Sequence, residues 1–167
     1  MSALPSLDRY CTAMTLADLD AVAAIERVAY EFPWNRRNFE DSLRAGYLGV
    51  CLRDADASLI GYSVLMPVVD EMHLLNVCVA PERQHSGGGL ALLDECARLT
   101  RLYGMAGILL EVRPSNLRAI RLYEQFGFVS VGMRKNYYPA RDRRREDAIV
   151  MRLIFGARNA YSGTTDK

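Results

Sequence analysis

The chain has 167 residues, of which 50% are hydrophobic and 25% charged, and its formal net charge is +1. This composition is typical of a globular protein with one core, and the near-neutral charge does not indicate nucleic acid or membrane as a partner. No apolar run approaches the roughly 18 residues that cross a bilayer. Residues 1–8 lack the basic and apolar stretches of a signal peptide. We therefore expect a cytoplasmic protein, either a monomer or a weak dimer.

Residues that bind soft metals are few and lie far apart in the sequence. They comprise four cysteines without a C-x-x-C pair and two histidines: Cys11, Cys51, Cys78, Cys96, His73 and His85. A structural zinc site needs four closely spaced ligands, so we predict no metal and reduced thiols.

The first half of the chain alternates between β-rich runs and segments with helical spacing of apolar residues. The predicted strands are Tyr10–Met14, Tyr47–Leu52, Leu59–Val69 and Glu71–Val79. The predicted helices are one that Thr15 caps and Pro33 ends, and a second from Asn35 to Ala45.

The second half contains two helices, each followed by strand-like runs. The predicted elements are the helices Leu90–Tyr103 and Ser115–Phe126 and the strands Gly107–Val112, Phe128–Arg134 and Asp147–Phe155. This order predicts an α+β or α/β fold with a mixed sheet, because the strict alternation of a doubly wound fold is missing. We expect one domain over residues 1–155 and a flexible tail over 156–167.

A glycine run, Gly87-Gly88-Gly89, separates a predicted strand from a predicted helix. Glycines at this position let backbone N–H groups approach an anion, and the helix N-terminus favours negative charge. The sequence is neither a Walker A loop nor a dinucleotide fingerprint, since Leu90 and Leu92 occupy positions that those motifs reserve for other residues. A turn without a ligand remains an alternative at this point.

Glu111 interrupts the apolar strand Gly107–Val112, and alternation puts it on the face opposite Leu110. A carboxylate in such a strand is costly unless it is paired, solvated or used. The alternatives are a surface glutamate and an ion pair with Arg113. Tyr123 lies on the following helix, where a core tyrosine is the plain alternative, and Asn116 is a candidate cap for that helix.

Several of these segments, taken in order, resemble the GNAT family of N-acetyltransferases. They are the run Asn76-Val77-Cys78-Val79, the pattern Gln84-x-x-Gly87-x-Gly89, Asn116, and the run Leu122-Tyr123-Glu124-x-Phe126-Gly127-Phe128. The similarity extends over most of the chain, from about residue 12 to 153. It implies a mixed, mostly antiparallel sheet of six to seven strands flanked by about four helices.

Narrower motifs resemble one branch of this family, bacterial enzymes that acetylate the N-terminal alanine of a small-subunit ribosomal protein. They are Phe32-Pro33-Trp34, Asp70-Glu71, Leu110-Glu111-Val112-Arg113-x-Ser115-Asn116, Asn136-Tyr137-Tyr138-Pro139 and Arg145-Glu146-Asp147-Ala148. The resemblance implies a ribosomal protein N-terminus as the partner and acetyl-CoA as co-substrate.

The family resemblance also implies roles for individual residues. Glu111 is the implied general base and Tyr123 the implied general acid. The implied acceptor contacts are Trp34, Glu71, Tyr137 and Tyr138, with core or rim packing as the alternative for each. The implied acetyl-CoA contacts are Val77, Cys78, Val79, Gln84, His85, Ser86, Gly87, Gly88, Gly89, Leu90 and Asn116.

One departure and two alternative functions remain open. Family members often carry basic or amide residues in the glycine loop, whereas this chain has His85, Ser86 and Leu90 there, so we expect weaker cofactor binding. The alternatives are an acetyltransferase for another acceptor, such as a small amine or a lysine, and a degenerate acyl-CoA sensor. The presence of both Glu111 and Tyr123 favours an active enzyme.

Overall fold

A seven-stranded sheet and four α-helices make up most of residues 8–156, the part of the chain that this computed structural model describes. In chain order the elements are β1 (Tyr10–Ala13), α1 (Leu19–Ala29), α2 (Arg36–Arg44), β2 (Leu48–Arg53), β3 (Leu59–Val68), β4 (Glu71–Val79), α3 (Gly88–Leu102), β5 (Gly107–Val112), α4 (Leu117–Phe126), β6 (Val129–Pro139) and β7 (Arg145–Ile154). Most of the predicted tail, residues 157–167, lies outside the described residues.

The strands are ordered β1-β2-β3-β4-β5-β7-β6 across the sheet. Each neighbouring pair is antiparallel except β4 and β5, which are parallel and are connected through α3. The predicted mixed, mostly antiparallel sheet with about four helices is therefore confirmed. No helix within residues 8–156 is long and apolar enough to cross a membrane.

The parallel pair β4 and β5 separates halfway along its length. Pairing begins at Glu71 with Gly107 and ends at Leu74 with Leu110. Beyond this point β4 stays with β3, through a bulge that leaves Leu75 without a partner in the register, whereas β5 stays with β7. Bulges bend the strand that carries them and are common beside functional sites. The two strands therefore form a fork that opens toward their carboxyl ends.

The two faces of the sheet are covered by different helices. Helices α3 and α4 pack on one face, in a core that includes Leu74, Leu93 and Leu110. Helices α1 and α2 pack on the other face, in a core that includes Phe39 and Tyr62 and draws no buried residue from β5, β6 or β7. Because side chains alternate along a strand, Glu111 points to this second face, where those three strands contribute nothing to the helix-covered core.

The helix bounds differ from the predicted ones by two residues or more at α1, at the start of α3 and at the start of α4, which begins at Leu117 rather than Ser115. A short 3₁₀ turn, Leu16–Asp18, precedes α1, and Asp18 accepts a hydrogen bond from the backbone N–H of Thr15 (2.8 Å). Helix α1 ends at Ala29 rather than near Pro33, because Tyr30 has extended backbone and its hydroxyl donates to the carbonyl of Val77 (2.6 Å). Helix α3 begins at Gly88, two residues before the predicted start.

The last two strands are longer than predicted. β6 continues to Pro139 instead of ending at Arg134, and β7 begins at Arg145 instead of Asp147. β6 is one of the two edge strands of the sheet, and nearly all of its residues are exposed. Apolar and polar residues alternate from Val129 to Arg134 but not through the run Lys135-Asn136-Tyr137-Tyr138, so the end of the strand could not be recognised from the sequence.

Candidate active site

A groove of about 1240 Å³ lies between the carboxyl half of β4, the start of α3 and one side of α4. The loops that follow α1 and β6 complete its lining. It gathers most of the residues that the family resemblance implied for the cofactor, together with Tyr123. These lining residues are Val77, Cys78, Val79, Gln84, His85, Gly87, Gly88, Gly89, Leu90 and Asn116.

The glycine loop presents unpaired backbone donors to this groove. Gly87 has left-handed backbone (φ 84°), and its carbonyl accepts the first hydrogen bond of α3, from the N–H of Ala91 (3.1 Å). The N–H groups of Gly88, Gly89 and Leu90 precede that bond and have no partner within the helix. Gly89 also has no room for a side chain, since a Cβ there would lie 2.8 Å from Leu122. The loop therefore has the donors and the space that an anion needs.

Ser86 differs from its neighbours in the loop. It does not line the groove, and its carbonyl accepts a hydrogen bond from Arg9 Nη1 (2.7 Å). Its hydroxyl donates to the carbonyl of Arg83. These two contacts fix the outer side of the loop, so Ser86 supports the loop's conformation rather than its inner surface.

The edge of β4 beyond the fork is held by side chains of other elements. The carbonyl of Val77 accepts the Tyr30 hydroxyl, and the carbonyl of Val79 accepts the amide of Gln84 (3.1 Å). A carbonyl oxygen has two lone pairs, so each can accept a further hydrogen bond from a ligand. Gln84 therefore connects this edge to the glycine loop.

The charged residues of the groove leave an excess of cations. Its two acidic residues are already paired: Glu31 with Arg141 (2.6 Å) and Glu146 with Arg113 (3.4 Å). Hydrogen bonds from Ser115 lower the pKa of Glu146, which keeps that carboxylate ionised. The remaining arginines of the lining are on α4.

Those two α4 arginines, Arg118 and Arg121, are three residues apart and so share one helix face. Arg118 also contacts the side-chain oxygen of Gln84. Cations of the kind that family members often carry in the loop are therefore present beside it, on a different element.

Asn116 combines two of the interpretations that the sequence allowed. Its side-chain oxygen accepts a hydrogen bond from the N–H of Ala119 (3.2 Å), which makes it the cap of α4, and it also lines the groove. The cap holds the helix that carries Tyr123, Arg118 and Arg121, so this residue positions one wall of the groove.

Glu111 is the first residue of β5 beyond the fork, and its side chain is only 6% exposed. Oxygen Oε2 lies 2.5 Å from His73 Nε2 on β4. Oxygen Oε1 is buried without a hydrogen bond, and the nearest cation, Arg134 Nη1 on β6, is 3.6 Å away. The ion pair with Arg113 that the sequence allowed does not form, because β5 ends at Val112 and Arg113 turns toward Glu146.

Tyr123 is 7% exposed and packs against Phe128, with ring centroids 5.7 Å apart. Burial raises the pKa of its phenol, and the neighbouring Tyr138 adds to that shift. The hydroxyl is therefore protonated at neutral pH, the state that a general acid requires.

The two tyrosines of β6, Tyr137 and Tyr138, lie beside the groove rather than in its lining. Their rings are 4.8 Å apart, edge to face, and the guanidinium of Arg113 lies 4.4 Å from the Tyr138 ring. Burial raises the pKa of Tyr138, followed by the charge of Glu111. Tyr138 is thus within electrostatic reach of both Glu111 and Tyr123.

Trp34 and Glu71 also lie outside the groove lining. The ring of Trp34 packs on Phe39 (5.2 Å between centroids), and its backbone N–H donates to Glu26 (3.0 Å). Glu71 is at the amino end of β4, away from the fork, where it pairs with Arg152 (2.7 Å). Both residues are engaged in packing or pairing that the sequence motifs did not predict.

Sequence reasoning missed four residues that contact the site. His73 was considered only as a metal ligand, and Arg134, Arg118 and Arg121 were not considered at all. What these residues contact depends on strand register and on which side of α4 faces the groove, and local sequence patterns contain neither. The alternation that put Glu111 opposite Leu110 would also put His73 opposite Leu74, and this is the one signal available. No cluster of three or more potential metal ligands occurs among residues 8–156.

The mixed sheet with a forked parallel pair, and the glycine loop at the start of α3, define the class of protein. The sequence model of the Acetyltransferase (GNAT) family matches residues 19–128, and the chain belongs to this family.

Two relatives carry more specific names. The chain is 38% identical over 142 residues to the ribosomal protein bS18-alanine N-acetyltransferase of Escherichia coli. The match covers 85% of this chain and 95% of the relative. It is 32% identical to a putative enzyme of the same name from Bacillus subtilis, over 83% of this chain and 90% of the relative.

Solved structures of similar proteins have the same fold. The crystal structure of the ribosomal-protein-S18-alanine N-acetyltransferase from Escherichia coli superposes with a TM-score of 0.80 at 36% identity, over 92% of this chain and 99% of that one. Ard1 from Thermoplasma volcanium superposes with a TM-score of 0.79 at 26% identity, over 90% of this chain and 100% of that one.

Proposed function

We propose that this protein transfers the acetyl group of acetyl-CoA to the N-terminal amine of a ribosomal protein, in the cytoplasm. One observation supports this most strongly. The groove that begins at the glycine loop extends to the β4–β5 fork, where Tyr123 lines it and Glu111 is the first residue of β5 beyond the last pair. The groove therefore contains a site for an anion and a proton donor, and Glu111, which is outside its lining, lies on β5 directly after the fork.

The residues of the groove fit the co-substrate chemically. Coenzyme A carries several phosphate charges, and the groove offers the free N–H groups of Gly88 to Leu90 together with Arg118 and Arg121. The backbone of Val77 and Val79 would pair with the pantetheine arm. Since α4 supplies two arginines, the substitutions in the loop are a weaker argument against binding than the sequence alone indicated.

Glu111 is the proposed general base. An N-terminal ammonium group has a pKa of about 7.7–8.0, so roughly 10–15% of it is already neutral at pH 7. A carboxylate with one free oxygen needs only to complete the deprotonation, directly or through water. A lysine amine, with a pKa of about 10.4, requires far more from the same base. This difference favours an N-terminal acceptor.

Tyr123 is the proposed general acid. The amine attacks the acetyl carbonyl carbon, the carbon–sulfur bond breaks, and the thiolate of coenzyme A takes the phenolic proton. Burial keeps that proton on Tyr123 at neutral pH. The proton that Glu111 accepts from the amine balances the one that Tyr123 gives, so the net change is acyl transfer from sulfur to nitrogen.

A covalent route through Cys78 has little support. The thiol lines the groove, but burial raises its pKa to about 11. Almost none of it is thiolate at pH 7, and the thiolate is the nucleophilic form. Direct attack by the amine is therefore the simpler pathway.

The acceptor is inferred from the relatives. Proteins named as bS18-alanine N-acetyltransferases match this chain over nearly their whole length, and the structural match covers 92% of this chain. We infer that this chain acts on the N-terminal alanine of the corresponding ribosomal protein, with Tyr137 and Tyr138 beside the acceptor.

Two peptides test the function. One begins with the N-terminal sequence of that ribosomal protein; the other has the same sequence with a blocked N-terminus and one added lysine. With acetyl-CoA and the full chain, mass spectrometry should find acetylation of the first peptide only. Acetylation of the lysine peptide alone would contradict the proposal, as would no acetylation of either peptide while calorimetry shows acetyl-CoA bound.

A further inference from the structure

His73 and Glu111 contact each other across the last paired part of β4 and β5. His73 pairs in register with Leu109, two residues before Glu111, so both side chains project from the same sheet face. The contact joins His73 Nε2 to Glu111 Oε2 at 2.5 Å, and the side chains are 16% and 6% exposed. This histidine is therefore the nearest polar neighbour of the proposed base.

The chemistry of the pair fixes which atom donates. With Glu111 ionised, as a general base must be, its oxygens only accept, so His73 Nε2 carries the hydrogen that points to Oε2. This bond occupies Oε2 and leaves Oε1 buried without a hydrogen bond. A buried acceptor without a partner is unfavourable in a folded protein, and such exceptions often mark a site of chemistry.

We propose that His73 is a positioning residue for Glu111: it holds Oε2 and so directs Oε1 toward the acceptor amine. This inference rests on the proposed function, in which Glu111 is the base. The histidine acts through Glu111 and contacts neither substrate.

Other charged groups on this face are less suited to the role. Arg134 of β6 lies 3.6 Å from Oε1, beyond hydrogen-bond distance, and its side chain is 53% exposed. Glu71 of β4 and Arg152 of β7 pair with each other (2.7 Å). The hydroxyl of Tyr138 on β6 is uncharged at neutral pH, because burial raises its pKa. The orientation of Glu111 therefore depends mainly on His73.

Three variants at His73 and one control test the role. His73→Leu removes the donor at similar size, whereas His73→Gln keeps an N–H donor of similar reach. His73→Asn keeps the donor on a side chain one methylene shorter than Gln, and Arg152→Gln is the control on the same sheet face. We expect kcat to fall about tenfold in the Leu and Asn variants and to stay within about threefold in the Gln variant, because general bases contribute about 100-fold or more. The KM for acetyl-CoA should be unchanged in each variant, and kcat should be unchanged in the control.

A double-mutant cycle separates positioning from general structural damage. If His73 acts through Glu111, His73→Leu should cause no further loss of kcat in the Glu111→Gln background. Wild-type kcat in His73→Leu, equal kcat in the Gln and Asn variants, or a full further loss in the double variant would overturn the inference. If the Leu variant does not fold, the comparison of Gln with Asn decides.

The same assays distinguish this inference from the proposed function. An inactive Glu111→Gln beside a fully active His73→Leu would remove the role of His73 and leave the function intact. Failure of the wild-type protein to acetylate an N-terminal amine would instead remove the function on which the inference rests.

Discussion

Two buried glutamates, one on α1 and one on β5, differ in how their oxygens are used. Glu26 of α1 is 2% exposed and accepts three hydrogen bonds, from the Trp34 N–H (3.0 Å), the Tyr62 hydroxyl and the Asn76 amide (3.2 Å). Glu111 of β5 is similarly buried, but one of its oxygens has no hydrogen bond.

The difference separates structural carboxylates from reactive ones. The partners of Glu26 come from α1–α2, β3 and β4, so this side chain ties three segments together near the fork. Both oxygens of Glu26 accept hydrogen bonds, whereas Oε1 of Glu111 accepts none. Burial alone would not have distinguished the two, because both are nearly inaccessible.

The largest expected effect is on catalysis by Glu111. Glu111→Gln removes the base but retains a similar shape, so kcat at pH 7 should fall by about 100-fold or more. The free energy of unfolding should change by less than about 1 kcal/mol, since the variant removes an unsatisfied charge as well as one hydrogen bond. Steady-state kinetics and urea unfolding measure the two quantities. A large loss of stability would make Glu111 a second structural carboxylate.

Glu26 should respond in the opposite way. Glu26→Leu leaves three donors without their acceptor, and at about 1 kcal/mol or more for each donor the unfolding free energy should fall by about 3 kcal/mol. Glu26→Gln retains one acceptor oxygen and is the matched control, with a smaller loss. The Gln variant should keep kcat near the wild-type value, and a 100-fold loss of kcat without loss of stability would reverse the assignment of the two residues.

Tyr123→Phe tests the other partner of Glu111 in the reaction. Removing the phenolic hydroxyl should lower kcat by about 10-fold to 100-fold, because the thiolate must leave without its proton donor. Binding of acetyl-CoA, measured by calorimetry, should be unchanged, since the ring remains in the core. Unchanged kcat would assign Tyr123 to packing alone.

A change in the groove that spares both carboxylates separates binding from chemistry. Arg118→Ala and Arg121→Ala should each raise the Kd for coenzyme A by about tenfold, the size of one charge-assisted contact. The matched control is Arg37→Ala on α2, whose side chain is 86% exposed and lies outside the groove. Unaltered affinity in both α4 variants would mean that the glycine loop alone contacts the phosphates.

The smallest expected effect is on the pH dependence of stability. Burial raises the pKa of Glu26 above its ordinary value near 4.5, so the folded state favours the protonated side chain. This contribution is fully present below the unfolded pKa and is lost as pH rises through the folded pKa. The stability of the wild-type protein relative to Glu26→Gln should therefore decline as pH increases from about 4, measured by urea unfolding. A rising difference would contradict this sign.

Much of this fold was predictable, because local patterns determine most of its elements. The alternation around Glu111, the glycine loop and the cap at Asn116 all depend on short stretches of sequence. The fork was not predictable, since the bulge at Leu75 arises from pairing between β3 and β4. The contact of His73 with Glu111 joins residues 38 positions apart through the register of a parallel pair.

The acceptor side of the site was the least predictable. Trp34 and Glu71, the acceptor contacts that the family resemblance implied, lie outside the groove lining, where Trp34 packs on Phe39 and Glu71 pairs with Arg152. Aromatic and acidic residues occur in many environments, so their type alone does not indicate what they contact. Tyr137 and Tyr138 lie on the extension of β6 that the sequence pattern did not reveal.

The most direct test of the account is the pH dependence of kcat/KM for the N-terminal peptide, in the wild-type protein and in Glu111→Gln. If Glu111 completes deprotonation of the amine, the variant should be slowest relative to wild type below about pH 7.7–8.0, and the ratio of the two rates should shrink above that range. If the ratio of the two rates stays constant from about pH 6 to about pH 9, or is near unity at about pH 7, the role of Glu111 as the base is contradicted.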